Sequence, residues 1–205
     1  WNFTNFKHYA EGEKISSLSE LPEVLKDYFD QNDIPENVII QRNNSVAYIQ
    51  SSEKLAEQGV IFTDIFTALQ EHSDLVQKYY MTDGVSVDEH KLTALHAAFM
   101  NGGVFIYVPK GVKVDEPLQA VFWQEDNEVA LFNHVLIVAE DDSKVTYVEN
   151  YISHNEDKET VANVISEVLA GKNAQILYGA VDNFGSATTS YINRRGVADD
   201  HAVLD

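Results

Sequence analysis

The sequence contains no cysteine. That excludes disulfides, thiolate-held zinc and thiolate-ligated iron–sulfur clusters within this chain. Basic residues are scarce, with 14 Lys and Arg against 33 Asp and Glu and a formal charge of −19. Such a surface repels phosphate backbones and anionic lipid heads, so neither nucleic acid nor a membrane surface is expected as a partner. Long hydrophobic runs are missing too. In the C-terminal half, wholly apolar stretches such as Val135 to Ala139 fall far short of a spanning helix, and the N-terminus lacks a basic-then-apolar signal pattern. A soluble, cytoplasmic protein is expected. No G-x-G-x-x-G, G-x-S-x-G or H-E-x-x-H string occurs, so the short signatures of dinucleotide binding, serine hydrolysis and zinc proteolysis are absent.

What is present is 44% hydrophobic content over 205 residues, enough for one good core or two small ones. Four copies of one pattern organise it: YVPKGVKV from Tyr107, VAEDDSKV from Val138, LAGKNAQI from Leu169 and VADDHAVL from Val197, at offsets of 31, 31 and 28 residues. Self-similarity at such a period marks a solenoid. Between the copies lie further strand-like runs, Leu118 to Trp123, Ala130 to Leu136, Val161 to Val168 and Thr188 to Asn193. Strand starts near 104, 118, 131, 145, 161, 175 and 188 then recur every 13 to 16 residues, too closely for βαβ crossovers. Two strands per coil fit a mainly β protein built as a flattened parallel β-helix, capped by an α/β N-terminal region. A sandwich uses similar short strands and turn signals and is the alternative.

The turn column Gly111, Asp142, Asn173 and His201 gathers the residue types most tolerant of positive φ, so each coil is expected to turn through one left-handed residue there. Lys113, Lys144, Gln175 and Val203 would then point outward, and Val114, Val145, Ile176 and Leu204 inward. The first 36 residues hold an aromatic cluster (Trp1, Phe3, Phe6, Tyr9) and a helix signal, with Ser19 as N-cap, Pro22 in the first turn and Leu21, Val24, Leu25 and Tyr28 on one face. Val38 to Gln41 and Val46 to Gln50 read as a hairpin. One long helix is expected after Thr63, carrying Phe62, Ile65, Phe66, Leu69, Val76, Tyr79 and Tyr80 and ending at Asp83-Gly84. A further helix spans about Asp88 to Met100, with Leu92, Leu95, His96 and Phe99 on its stripe and Asn101-Gly102-Gly103 at its C-terminus. The expected boundary near residue 101 divides residues 1–100, the N-terminal cap region, from residues 101–205, the first β-helix coils.

Candidate chemistry is sparse. His90 and His96 are six apart, unlike the i,i+4 pair of zinc enzymes, and His96 reads as a hydrogen-bonded core histidine. His134, inside a strand, could transfer protons, yet sequence names no partner for it. Asp141-Asp142 and Asp199-Asp200 resemble calcium or glycosidase carboxylate pairs, but the turn position aligns Lys110, Asp141, Lys172 and Asp200, an alternating column that neutralises itself. Gly171-Lys172-Asn173 ends like a phosphate loop but has Ser166 and Asn173 where that motif needs Gly and Ser or Thr. Asn193-Arg194-Arg195-Gly196 concentrates basic charge that neighbouring acids would pair. No catalytic or metal residue is assigned.

ALHAAFMNGGVFIYVPKGVKVDEPLQAVFW (94 to 123), FNHVLIVAEDDSKVTYVENY (132 to 151) and YGAVDNFGSATTSYINRRGV (178 to 197), with WNFTNF at the start, resemble the SufB/SufD family of iron–sulfur cluster assembly scaffolds. The resemblance covers essentially the whole chain. It implies a β-helix core, a helical N-terminal region, a non-enzymatic scaffold role, and as partners of the full-length protein a SufB paralogue and the SufC ATPase, with the iron–sulfur cluster as product of the complete complex rather than a cofactor of this chain. Within that resemblance the lack of cysteine favours the SufD side of the family over SufB, whose members look like they use cysteine in cluster assembly. The family continues with further coils and a C-terminal helical region, and since this chain starts at Trp1 and ends inside a repeat, a cut from a longer protein is expected. An open last coil would favour self-association through unpaired strand edges. The rival reading, a carbohydrate-active β-solenoid enzyme, needs clustered same-sign acids on one face, which the alternating column does not supply.

Overall fold

The computed structural model describes residues 35–126, 128–153 and 158–205, with Ile15, Glu20, Leu21, Glu23, Leu25 and Phe29. Two sheets face each other across one core. The first has the strand order Thr188–Ala198, Thr160–Ala170, Leu131–Ala139, Gly102–Val108, Ile61–Asp64 and the second Val203–Leu204, Gln175–Asn183, Lys144–Ser153, Leu118–Gln124, Asn37–Arg42, Ser45–Gln50. From Gly102 the chain alternates between them: β4 (Gly102–Val108), β5 (Leu118–Gln124), β6 (Leu131–Ala139), β7 (Lys144–Ser153), β8 (Thr160–Ala170), β9 (Gln175–Asn183), β10 (Thr188–Ala198) and β11 (Val203–Leu204). Every pairing among these eight is parallel. The fold is therefore a flattened β-solenoid and not a sandwich.

Repeat spacing and strand register coincide. Tyr107 pairs with Val138, Val138 with Leu169 and Leu169 with Val197, while Val145 pairs with Ile176 and Ile176 with Leu204. The turn column is left-handed throughout, with φ of 75° at Gly111, 60° at Asp142, 57° at Asn173 and 60° at His201. Its coils are stitched together, since the amides of Gly111, Asp142 and Asn173 donate to the carbonyls of Asp141, Lys172 and Asp200 one coil further on. Lys113, Lys144, Gln175 and Val203 are exposed, Val114, Val145 and Ile176 are buried, and Leu204 is half-buried. Because a left-handed conformation costs an ordinary residue about 1–2 kcal/mol, Asn173→Val is expected to lower stability by about that much, and Asn173→Gly to leave it nearly unchanged. Urea unfolding of the two variants checks this, and equal midpoints would count against it.

The N-terminal region continues both sheets. β1 (Asn37–Arg42) pairs in parallel with β5 and forms the expected hairpin with β2 (Ser45–Gln50) through Asn43, at φ 53°. After α1 (Glu53–Glu57), β3 (Ile61–Asp64) pairs antiparallel with β4. Leu55, Val60 and Phe62 join Ile39, Val104, Ile106 and Phe122 in the solenoid core, so strands and a short helix close this end. Leu21, Leu25 and Phe29, spaced four apart, pack on Val38, Ile40, Val121 and Trp123 outside the second sheet. Trp1, Phe3, Phe6, Tyr9, Ser19, Pro22, Val24 and Tyr28 lie outside the described residues.

The single long helix expected after Thr63 is replaced by β3 and two short helices, α2 (Ile65–Glu71) and α3 (Ser73–Tyr79), with a break at His72 (φ −134°). Phe62 belongs to β3 opposite Ile106. Asp64 ends the strand and caps α2, its carboxylate accepting from the amides of Phe66 and Thr67. The break lets Ile65, Ala68 and Val76 all reach Phe105, Leu136 and Val138 on the outer face of the first sheet. Phe66 and Leu69 are left exposed instead of joining a common stripe. The further helix ends where expected, just before Asn101-Gly102-Gly103, but the two glycines are not its cap. α4 (Lys91–Phe99) stops at Met100, and both glycines open β4. Among the described residues no helix is long and apolar enough to cross a membrane.

Candidate functional site

Two polar clusters lie buried in this apolar frame, one beneath the helices on the flank and one inside the solenoid. The flank cluster follows from strand alternation. On β6 and β8 the inward residues Val135, Ile137, Val164 and Val168 fill the core, which turns His134, Asn163 and Glu167 outward. The packing of α4 and the segment after α3 then covers them, so that His96, His134 and Glu167 are all 0% exposed. His96 Nε2 lies 3.1 Å from His134 Nδ1, and His96 Nδ1 lies 3.1 Å from Asn163 Oδ1. Asn163 Nδ2 donates to the Leu92 carbonyl at 3.0 Å. Glu167 accepts from the amides of Met81 (2.8 Å) and Val85 (2.9 Å). His134 Nε2 approaches Glu167 Oε2 at 3.0 Å, an ion-pair distance off the ring's hydrogen-bond axis.

Burial drives His96 down to about 3, with His134 adding to the effect and Asn163 opposing it. Burial also holds His134 below its ordinary value, against the pull of Glu167. Tyr80, whose ring centroid lies 4.4 Å from that of His134, has its phenol raised by burial and by Glu167. His96 is thus the hydrogen-bonded core histidine its stripe indicated. The partners of His134 were not nameable from sequence and are now His96 and Glu167.

Inside the solenoid, Gln41 Nε2 donates to Asn133 Oδ1 at 2.8 Å, and Asn133 Nδ2 to the Tyr151 hydroxyl at 3.3 Å. One coil on, Glu149, also fully buried, accepts from Tyr178, Tyr147 (3.3 Å), Ser166 (3.4 Å) and Arg194 Nε (3.2 Å). Arg194 is fixed from its other side by a bidentate pair with Asp182, at 2.8 and 2.6 Å. Burial pushes Glu149 above the ordinary carboxylate range, against Tyr178 and Arg194. These side chains hold one another, and they cross-link strands rather than present a free nucleophile.

The remaining sequence candidates are structural. Lys110 pairs with Asp141 at 3.1 Å and Lys172 with Asp200 at 3.7 Å, so the alternating column neutralises itself on exposed turns. Lys172 donates its backbone amide to Asp141, within a turn and not a phosphate loop. Arg195 is held by Glu89, at 2.7 Å on each nitrogen. His90 accepts from the amide of Leu92 as the N-cap of α4. Among the described residues no three His, Asp or Glu side chains converge as a metal site. Sequence reasoning missed Glu149 and Glu167. Each sits at a buried position of a strand, between Tyr147 and Tyr151 or within the apolar run from Val161 to Ala170, and a charge at such a position was the available signal.

Comparisons with known proteins align with this architecture. Residues 28–120 match the SufBD protein N-terminal region and residues 122–205 the SufBD core domain of the SUF system for FeS cluster assembly. The iron–sulfur cluster assembly protein SufD of Bacillus subtilis is 58% identical over 199 residues, covering 97% of this chain and 46% of that protein. An iron–sulfur cluster assembly SufBD family protein of Staphylococcus aureus USA300 is 32% identical over 203 residues, covering 95% of this chain and 43% of its own length. The chain thus spans about half the length of the curated relatives it matches.

Proposed function

The chain belongs to the SufBD family of iron–sulfur cluster assembly proteins, and from that membership we propose that it acts as a non-enzymatic, cytoplasmic scaffold subunit, working with a SufB paralogue and the SufC ATPase. The observation that carries this reading is the match to both SufBD regions, over residues 28–120 and 122–205, together with 58% identity to SufD. The chemistry of the chain agrees with it. Without cysteine the chain has no thiolate to hold a cluster, and its buried acids are engaged by partners on neighbouring strands. A parallel solenoid also offers strand edges for pairing with a second solenoid. In this reading the cluster is the product of the assembled complex.

Co-expression with SufB and SufC, followed by size-exclusion chromatography of affinity-tagged SufB, tests the proposal. Co-elution of the full-length protein with both partners is expected. Assembly of SufB and SufC into a complex that leaves this protein in a separate peak would overturn it.

A further inference from the structure

We propose that a groove on the outer face of the first sheet is a docking site for a cationic amphipathic helix of a partner protein. The groove encloses about 550 Å³ beside α3, over the C-terminal ends of β6, β8 and β10. Its floor is the registered row of Val138, Leu169 and Val197. This face already receives helices. Ile65 and Ala68 of α2 and Val76 of α3 pack on Phe105, Leu136 and Val138. Their cover thins along the row, from 3% exposure at Val138 to 8% at Leu169 and a half-buried Val197. Neighbouring strands stand about 4.8 Å apart, close to the roughly 5.4 Å pitch of an α-helix. Aliphatic side chains one turn apart, on a helix laid along the solenoid axis, therefore meet successive strands.

The strand ends supply the charge that selects the occupant. Glu140, Gly171 and Asp199 each follow the last residue of their strand. The ladder continues through them, the Gly171 amide donating to the Ala139 carbonyl at 2.8 Å and that of Asp199 to the Ala170 carbonyl at 2.9 Å. Gly171 brings no side chain, so an open notch about two strand spacings wide, roughly 10 Å, separates the two acidic positions. Asp83, from the segment after α3, lines the groove with a third carboxylate. Lys110 lines it too but is paired with Asp141, and Lys78 donates to the Tyr79 hydroxyl. Among the described residues none of Asp83, Glu140 and Asp199 has an ion-pair partner. A Lys or Arg stem laid over Leu169 carries its cationic head into the notch above Gly171, between Glu140 and Asp199. An acidic helix of the same apolar pattern is repelled there, so charge decides which helices dock and the apolar row holds them.

Full-length protein titrated with a short fluorescein-labelled peptide of leucine and lysine, its leucines at helical spacing, tests the site. Binding is expected. Replacing the leucines with serine should weaken it by about tenfold or more, because exposed ion pairs alone contribute little. Asp83→Lys with Asp199→Lys should weaken the leucine–lysine peptide to a similar extent. Glu53→Lys with Glu57→Lys makes the same change of net charge on exposed residues of α1, and salt screening at that distance should limit its effect to about twofold. Equal losses in the two double variants would overturn the site, since the peptide would then be answering only to the overall negative charge. So would equal binding of the leucine and serine peptides. So would no binding at all, the result expected if another segment of the full-length chain or a second copy fills the groove. The comparison of the two peptides uses the parent protein, so it stays decisive if the Asp83→Lys, Asp199→Lys protein fails to fold.

Discussion

Gly103→Ala is expected to lose about 3–5 kcal/mol of folding stability and to unfold at a urea concentration far below that of the parent. Gly103 opens β4 at φ 139° and pairs with His134 of β6. A Cβ there would lie 1.8 Å from the His134 carbonyl oxygen and 2.8 Å from its amide nitrogen. The obstacle is backbone in the middle of a parallel sheet, so no side chain can swing aside. Overpacking and a backbone region that only glycine enters readily each cost about 1–3 kcal/mol. Because His134 sits in the flank cluster, the strain reaches α4 as well. Gly111→Ala is the control. Gly111 has a positive φ of 75° with nothing within 4 Å of its added Cβ, so only the conformational term of about 1 kcal/mol remains. Equal midpoints for the two variants would show that the close approach of β4 and β6 is not as described.

The second large effect is expected at Arg194. Truncation to alanine leaves Glu149 buried among Tyr147, Ser166 and Tyr178 with no cation, and removing one member of such a pair typically costs about 3–5 kcal/mol. Arg194 keeps some solvent contact, its side chain being 23% exposed, so a loss of about 3 kcal/mol is expected. The double variant Arg194→Ala with Glu149→Gln should regain most of it, because an amide keeps a hydrogen-bond acceptor and carries no charge. The pH dependence follows from the raised carboxyl of Glu149. A group whose folded value lies above its unfolded value favours the fold while protonated and loses that contribution as pH rises. The penalty of Arg194→Ala should therefore be larger at pH 8 than at pH 5. A penalty unchanged by Glu149→Gln would mean that Arg194 acts through Asp182 alone.

The solenoid half of the fold was legible because its signal is periodic and local. Offsets of 31, 31 and 28 residues are the strand register itself, and the four turn residues share a conformation that few residue types tolerate. The helices before it were read less well. Ile65 to Tyr79 keeps helical spacing across His72, and spacing cannot reveal that the backbone breaks there to lay both pieces on one sheet. Gly102 and Gly103 look like a helix end in one dimension, and only the pairing with β6 shows why glycine is needed. The polar clusters were the least legible part. His96 and His134 stand 38 residues apart and Glu167 another 33 beyond, and they meet only because β6 and β8 are neighbours under α4. A charged residue inside an apolar strand shows that a partner exists, but naming it requires the register.

The scaffold reading is tested most directly by iron content after anaerobic reconstitution. The protein alone, and the protein assembled with SufB and SufC, would each be supplied with ferrous iron and sulfide, desalted, and measured for visible absorption and bound iron. The isolated protein is expected to retain no chromophore, since it has no cysteine to ligate a cluster, while the assembled complex develops one. A stoichiometric cluster on the isolated protein would contradict the account, because the chain would then be a carrier with its own ligands and not a scaffold.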